Sequence, residues 1–244
     1  MRNLKITLCY DGTDYHGWQL QPDLITVQEV VQTALEKVFK EKVTVNGCSR
    51  TDAGVHARQF VCNCRTGCSI PACKVPVAVN TYLPLDVSIL KCEEVDEEFH
   101  ARFDTLEKTY CYTIWTGEFR DVFARNHEWH YHRTLDVDAM RRAAAYLIGT
   151  HDFTAFMAAG SNIKTTVRTV RDLRIDQEGE RIRIFITADG YLYNIVRIIV
   201  GTLTNVGIGK TAPHDLPDII ASCDRVQAGP TAPPWGLMLY EVRY

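Results

Sequence analysis

Two stretches of this chain run through the same order of elements, and that order leaves few folds open. In the first, residues 4–10 alternate apolar and polar side chains, as a half-buried strand does. Residues 26–40 then carry Val27, Val30, Val31, Ala34, Leu35 and Val38 along one helical stripe. Thr26 and Glu29 stand at capping-box spacing at its start. Strands are expected over 43–48, 59–65 and 87–92, with a short helix over 74–81. The second stretch opens on an alternating segment, 108–115, which puts Tyr110 and Tyr112 on one strand face. Asp136 is a natural N-cap for a helix through Val137, Met140, Ala144 and Leu147, stopped by Gly149. Residues 166–176 and 181–187 form a hairpin around Glu178-Gly179, and 191–206 form a strongly apolar helix that contains Arg197. A last strand covers 237–244. Strand, helix, strand, strand in each half predicts an α+β protein, its mostly antiparallel sheets covered by helices.

The composition narrows the function classes. At 244 residues, 46% apolar and 23% charged, the chain is an ordinary globular protein with enough length for a proper core. No apolar run reaches the roughly 18 residues of a membrane span, and Met1-Arg2-Asn3-Leu4-Lys5 does not begin a secretory signal, so a cytoplasmic location is expected. Among the nine cysteines, Cys62, Cys64, Cys68 and Cys73 lack the paired C-x-x-C spacing of structural zinc, and they are read as packing. The chain has no phosphate-cradling G-x-x-x-x-G-K-[ST] loop, dinucleotide fingerprint or H-E-x-x-H pair, and no cofactor or metal is expected. The formal charge of −3 does not advertise a nucleic acid, but Lys164, Arg168, Arg171, Arg174, Arg181 and Arg183 cluster while Glu93, Glu94, Asp96, Glu97 and Glu98 lie elsewhere. Such local charge permits an RNA partner without demanding one.

One loop carries chemistry. Gly47-Cys48-Ser49-Arg50-Thr51-Asp52-Ala53-Gly54-Val55-His56-Ala57 sets a single carboxylate, Asp52, between an arginine and small turn-forming residues. Ala53 and Gly54 leave room for a planar ligand, and Arg50 favours the ionised acid. An open, anionic carboxylate suits nucleophilic work at an electrophilic carbon; the same residues also make an ordinary Asx turn between strands.

The run from Arg50 to Ala57 resembles the signature of the TruA-type tRNA pseudouridine synthases. So do Tyr10-Asp11-Gly12-Thr13 with Gly17-Trp18-Gln19, Thr26-Val27-Gln28, Phe99-His100-Ala101-Arg102-Phe103, and Lys108-Thr109-Tyr110-Cys111-Tyr112. His151-Asp152-Phe153, Tyr193-Asn194-Ile195-Val196-Arg197 and the C-terminal Gly236-Leu237 with Val242-Arg243-Tyr244 follow in the family's order.

This resemblance implies two ferredoxin-like (RRM-like) subdomains, 1–105 and 106–244. They would join in one continuous, mostly antiparallel sheet with helices packed on it and the active-site cleft between them. It implies a cofactor-free isomerase that turns uridines 38, 39 and 40 of the tRNA anticodon stem-loop into pseudouridine. Asp52 would be the catalytic carboxylate, Arg197 its partner, Arg50 the arginine that steadies the flipped-out state, and Tyr110 the ring that holds uracil. Phe99, His100, Ala101, Arg102 and Phe103, with stretch 160–164 and Lys164 and Arg168, fall where the family meets tRNA. A homodimer is implied as well. Attack at C1′, a glycal-like route and addition to C6 all need the same carboxylate and stay open. The alternatives are a non-catalytic tRNA-binding or folding module of the same fold, and an N-glycosidase that releases uracil. Cys48-Ser49, and Tyr191 and Ile195 within the stretch 191–197, depart slightly from the family pattern without touching Asp52, Tyr110 or Arg197.

Overall fold

The computed structural model describes residues 1–160 and 163–244. In chain order the elements are β1 (Arg2–Tyr10), α1 (Val27–Phe39), β2 (Asn46–Gly47), β3 (His56–Thr66), α2 (Val75–Asn80), β4 (Val87–Val95) and β5 (Glu107–Trp115). They continue with β6 (Trp129–His130), α3 (Val137–Ala144), β7 (Gly149–Asp152), β8 (Val167–Glu178), β9 (Arg181–Ala188), α4 (Ile195–Gly207), α5 (Leu216–Ser222) and β10 (Leu237–Arg243). The expected α+β class is what the structure shows: mostly antiparallel strands with helices packed on them.

Two compact units divide the chain, Met1–Leu106 with Met238–Tyr244, and Glu107–Leu237. The last strand returns to the first unit because β10 pairs parallel with β3, Met238 opposite His56. In this unit β1 lies between β3 and β4, antiparallel to both, with Ile6 facing Cys62 on one side and Cys92 on the other. Leu4, Ile6 and Leu8 of β1 and Val27, Val31 and Leu35 of α1 are wholly buried, as the two periodicities require. Thr26 caps α1 by accepting the Glu29 N–H. Cys62 and Cys64 are buried in β3; burial raises both thiols, Cys64 to about 12, so they stay protonated packing groups.

In the second unit β9 lies between β5 and β8, antiparallel to both, and β7 extends the sheet beyond β8. Gly179, at φ 59°, turns the β8–β9 hairpin where the sequence places it. Asp136 caps α3 through the Ala139 N–H at 2.8 Å. α3 packs on α4, whose Ile198, Ile199, Val200 and Leu203 are buried.

Several segments differ from expectation, the unanticipated β6 and α5 among them. Of the 43–48 stretch, Asn46 and Gly47 take a ladder register with β3 and the Cys48 N–H adds a bond to Val61 O, while 43–45 do not join a strand. Val43 and Val45 are buried, but the Val45 carbonyl accepts from Gln28 Nε2 of α1 instead of a ladder partner. The apolar run 191–206 becomes helical only at Ile195, because Asn194 takes the left-handed conformation at φ 62°, ψ 9°. Past α3 the chain tightens into a 3-10 turn, Ala145–Leu147, before Gly149 opens the unanticipated β7. Among the described residues no helix is long and apolar enough to cross a membrane.

Candidate active site

Asp52 stands on the loop between β2 and β3, half-buried, with Thr51 buried before it and Arg50 exposed. Its backbone is held from both sides. Thr51 O accepts from the Trp18 N–H at 3.2 Å, and Thr51 Oγ1 meets the Tyr10 hydroxyl at 2.9 Å. On the far side Gly54 N–H donates to Tyr15 O, and Val55 N–H closes a turn on Asp52 O, both at 3.2 Å. The segment 15–18 lies so close that a Cβ on Gly17 would fall 2.3 Å from Thr51 O. Gly17 also sits at φ 86°, a conformation side chains disfavour. His56, which opens β3 with its ring buried, anchors the next residue pair. Its Nδ1 accepts from the Gly12 N–H at 3.0 Å and lies 3.0 Å from Asp11 Oδ1. The neutral ring, protonated at Nε2, takes the Gly12 bond; a protonated ring would donate to Asp11 instead. The result is a carboxylate on a loop with little freedom to drift.

The second unit holds two more of the expected residues. Tyr110 on β5 is buried and meets the Tyr191 ring edge-on, with centroids 4.7 Å apart at 75°. The Tyr191 hydroxyl is 2.7 Å from both Lys108 O and Ile186 O, so its single proton always has an acceptor. Burial pushes this phenol well above its ordinary range and keeps it neutral. Arg197 lies in the first turn of α4. Its Nε donates to Ala232 O at 2.7 Å and its Nη1 to Asn194 Oδ1 at 2.8 Å, while Arg197 O accepts from the Ala232 N–H at 3.0 Å. The strap 229–233 can lie on the helix because Gly201 has no side chain: a Cβ there would sit 1.8 Å from Pro230 O. Gly229 N–H donates to Thr202 Oγ1 at 2.8 Å and fixes the strap's other end. Two of the guanidinium nitrogens on this apolar helix are thereby bonded to protein oxygens, with the residue half-buried.

The residues expected to meet RNA separate by exposure. Phe99 packs on Tyr244 at 5.1 Å, with Lys5 Nζ 5.6 Å over its ring. Ala101 is wholly buried; its N–H donates to Asn63 Oδ1 and its carbonyl accepts from Tyr244. A side chain without exposed surface touches no RNA, so Ala101 shapes the turn instead. Arg102 and Phe103 are exposed, with the guanidinium 5.8 Å over the Phe103 ring and His100 on the other ring contact at 4.3 Å. Lys164 is exposed, while Arg168 donates to Thr165 O and Val167 O and so braces its own turn. Within stretch 160–164, Ser161 and Asn162 lie outside the described residues. The further cations of β8 and β9 are not a bare stripe: Arg171, Arg174, Arg181 and Arg183 pair with Glu107, Asp176, Glu128 and Glu178.

Sequence reasoning passed over Tyr10, Thr51 and His56 as supports of the Asp52 loop, and over Asn194 and Tyr191 behind Arg197 and Tyr110. Glycines set among aromatics at 10–18 hint at close backbone contact; a left-handed Asn leaves no periodic trace.

Residues 7–104 and 143–244 match the family described as tRNA pseudouridine synthase. The chain belongs to the tRNA pseudouridine synthase family. It is 49% identical over all 244 residues to tRNA pseudouridine synthase A 2 of Clostridium perfringens (strain 13 / Type A), covering the whole of both chains. It is likewise 49% identical over 244 residues, the full length of each, to tRNA pseudouridine synthase A of Thermoanaerobacter sp. (strain X514). A chain of the archaeal box H/ACA sRNP Nop10-Cbf5 complex is a far looser likeness: TM-score 0.37 and 12% identity over 93% of this chain and 59% of the other. As a tRNA pseudouridine synthase the protein is an isomerase, and its substrate is tRNA.

Proposed function

We propose that this pseudouridine synthase acts on uridines 38, 39 and 40 of the anticodon stem-loop, with Asp52 as its catalytic carboxylate. The reaction breaks the N1–C1′ bond, forms a C5–C1′ bond and moves the C5 proton to N1, so atoms and electrons balance without a carrier. Asp52 supplies the anion, at C1′, through a glycal-like intermediate, or at C6. Arg197 keeps it ionised, since a cation beside a carboxylate lowers its pKa. The Tyr110 ring holds uracil while it turns over. Arg50, exposed beside the loop, steadies the nucleotide once it leaves the stack, a step costing a few kcal/mol. Arg102, Phe103 and Lys164 meet phosphate and sugar, contacts that position RNA without reading its sequence.

The observation that carries this assignment is the loop itself: a half-buried carboxylate whose backbone neighbours are bonded on both sides. A rigid nucleophile needs such support; a turn that merely joins strands does not. Asp52→Ala is expected to keep tRNA affinity and lose pseudouridine formation in a mapping of residues 38–40. Undiminished product would overturn the role of Asp52. Free uracil in the wild-type reaction would instead mean a glycosidase. We place the enzyme in the cytoplasm as a homodimer; a single monomer mass in sedimentation would refute the dimer.

A further inference from the structure

Asn is among the most favoured helix N-caps, and at that position it takes extended dihedrals and bonds the N–H groups of the first turn. Asn194 does neither. It stands at the N-cap of α4 with φ 62° and ψ 9°, and its side chain makes no capping bond. Its Oδ1 accepts from Arg197 Nη1 at 2.8 Å instead. Left-handed dihedrals are uncommon outside glycine, though Asn tolerates them better than most, and they swing the amide over the first turn of the helix. The helix thus gives up a favourable cap at its start, and the group that would have made it holds the guanidinium. Local rules broken in this way concentrate at functional sites.

A second grip comes from the opposite direction. Nε of the same guanidinium donates to Ala232 O, on the strap laid across Gly201. One acceptor alone would let the planar group pivot about its bond; two acceptors on different nitrogens define its plane.

We infer that Asn194 is a positioning residue for the isomerisation, acting through Arg197: it sets the plane of the guanidinium before substrate arrives. This rests on the assignment of Arg197 above. Asn194→Gly keeps the backbone conformation and removes the acceptor; Asn194→Asp keeps both. Single-turnover pseudouridine formation, tRNA affinity and melting temperature are measured for each.

Asn194→Gly is expected to slow the chemical step about tenfold, the worth of one charge-assisted hydrogen bond, with affinity within about twofold of wild type. Asn194→Asp is expected to restore most of the rate. In an Arg197→Lys background, which lacks the Nη1 donor, Asn194→Gly is expected to add no further loss. Hydrogen exchange of the Arg197 Nη protons, followed by nitrogen NMR without tRNA, should quicken in Asn194→Gly. A wild-type rate in Asn194→Gly, an Asn194→Asp protein as slow as Asn194→Gly, or an equal loss in both Arg197 backgrounds would overturn the inference. Full activity in Arg197→Ala would instead remove its premise, the role of Arg197.

Discussion

The Asp52 loop and the start of α4 both present a charged side chain, and they are made rigid by different means. Around Asp52 the backbone is clamped: Trp18 N–H on Thr51 O, Gly54 N–H on Tyr15 O, and Gly17 pressed against the Thr51 carbonyl. At Arg197 the side chain itself is gripped, by Asn194 Oδ1 and Ala232 O. A short carboxylate has few torsions of its own, so fixing its backbone nearly fixes its oxygens. A guanidinium at the end of a flexible stem must be caught at its tip. The contrast teaches that the first region should fail through its backbone and the second through its side-chain partners.

Gly17→Ala is the harshest way to break that contrast. The added methyl meets a carbonyl at 2.3 Å in a backbone with φ 86°. Overpacking and the disfavoured dihedral together are expected to remove about 3 kcal/mol of stability in urea titration. Pseudouridine formation should be lost with it; an unchanged midpoint would show that the clamp is slack. In Gly201→Ala the methyl meets Pro230 O at 1.8 Å, but the helix gains up to about 1 kcal/mol of propensity. A net loss of about 1–2 kcal/mol is expected, with a slowed chemical step because the strap that holds Nε must move. Tyr10→Phe sharpens the comparison further. It deletes the hydroxyl bond to Thr51 Oγ1 and should cost about 1 kcal/mol, read from the same titration.

The gentlest check is thiol labelling. In the folded protein Cys73 and Cys223 are exposed and should react with iodoacetamide, while buried Cys62 and Cys64, with thiol pKa values raised by burial, stay silent by mass spectrometry. Gly17→Ala should uncover Cys62 and Cys64 under conditions where Gly201→Ala does not, because only the first loosens their unit.

Elements whose signal is local were legible in the sequence. β1 and α1 each show their own period, Asp136 announces α3, and Glu178-Gly179 announces the β8–β9 turn. The family signatures pointed to Asp52, Tyr110 and Arg197, the residues proposed above for the chemistry. The failures share a cause. Residues 43–48 look like a strand, yet the Val45 carbonyl is taken by a helix side chain, Gln28. Residues 191–194 look helical, yet Tyr191 turns its hydroxyl to Lys108 O and Ile186 O, and Asn194 goes left-handed. In each case a partner distant in sequence outbid the local preference.

The order of residues by itself therefore determined the α+β class and the family, and named the side chains proposed to carry the chemistry, because periodicity, turn chemistry and motif are properties of neighbours along the chain. Only the tertiary structure decided how those side chains are held: which carbonyl Gly17 leans on, which amide faces Arg197, and that Ala101 points inward while Phe103 points out. Those outcomes depend on segments meeting across long loops, where close approach of backbones and the pairing of buried polar groups, not local preference, set the geometry.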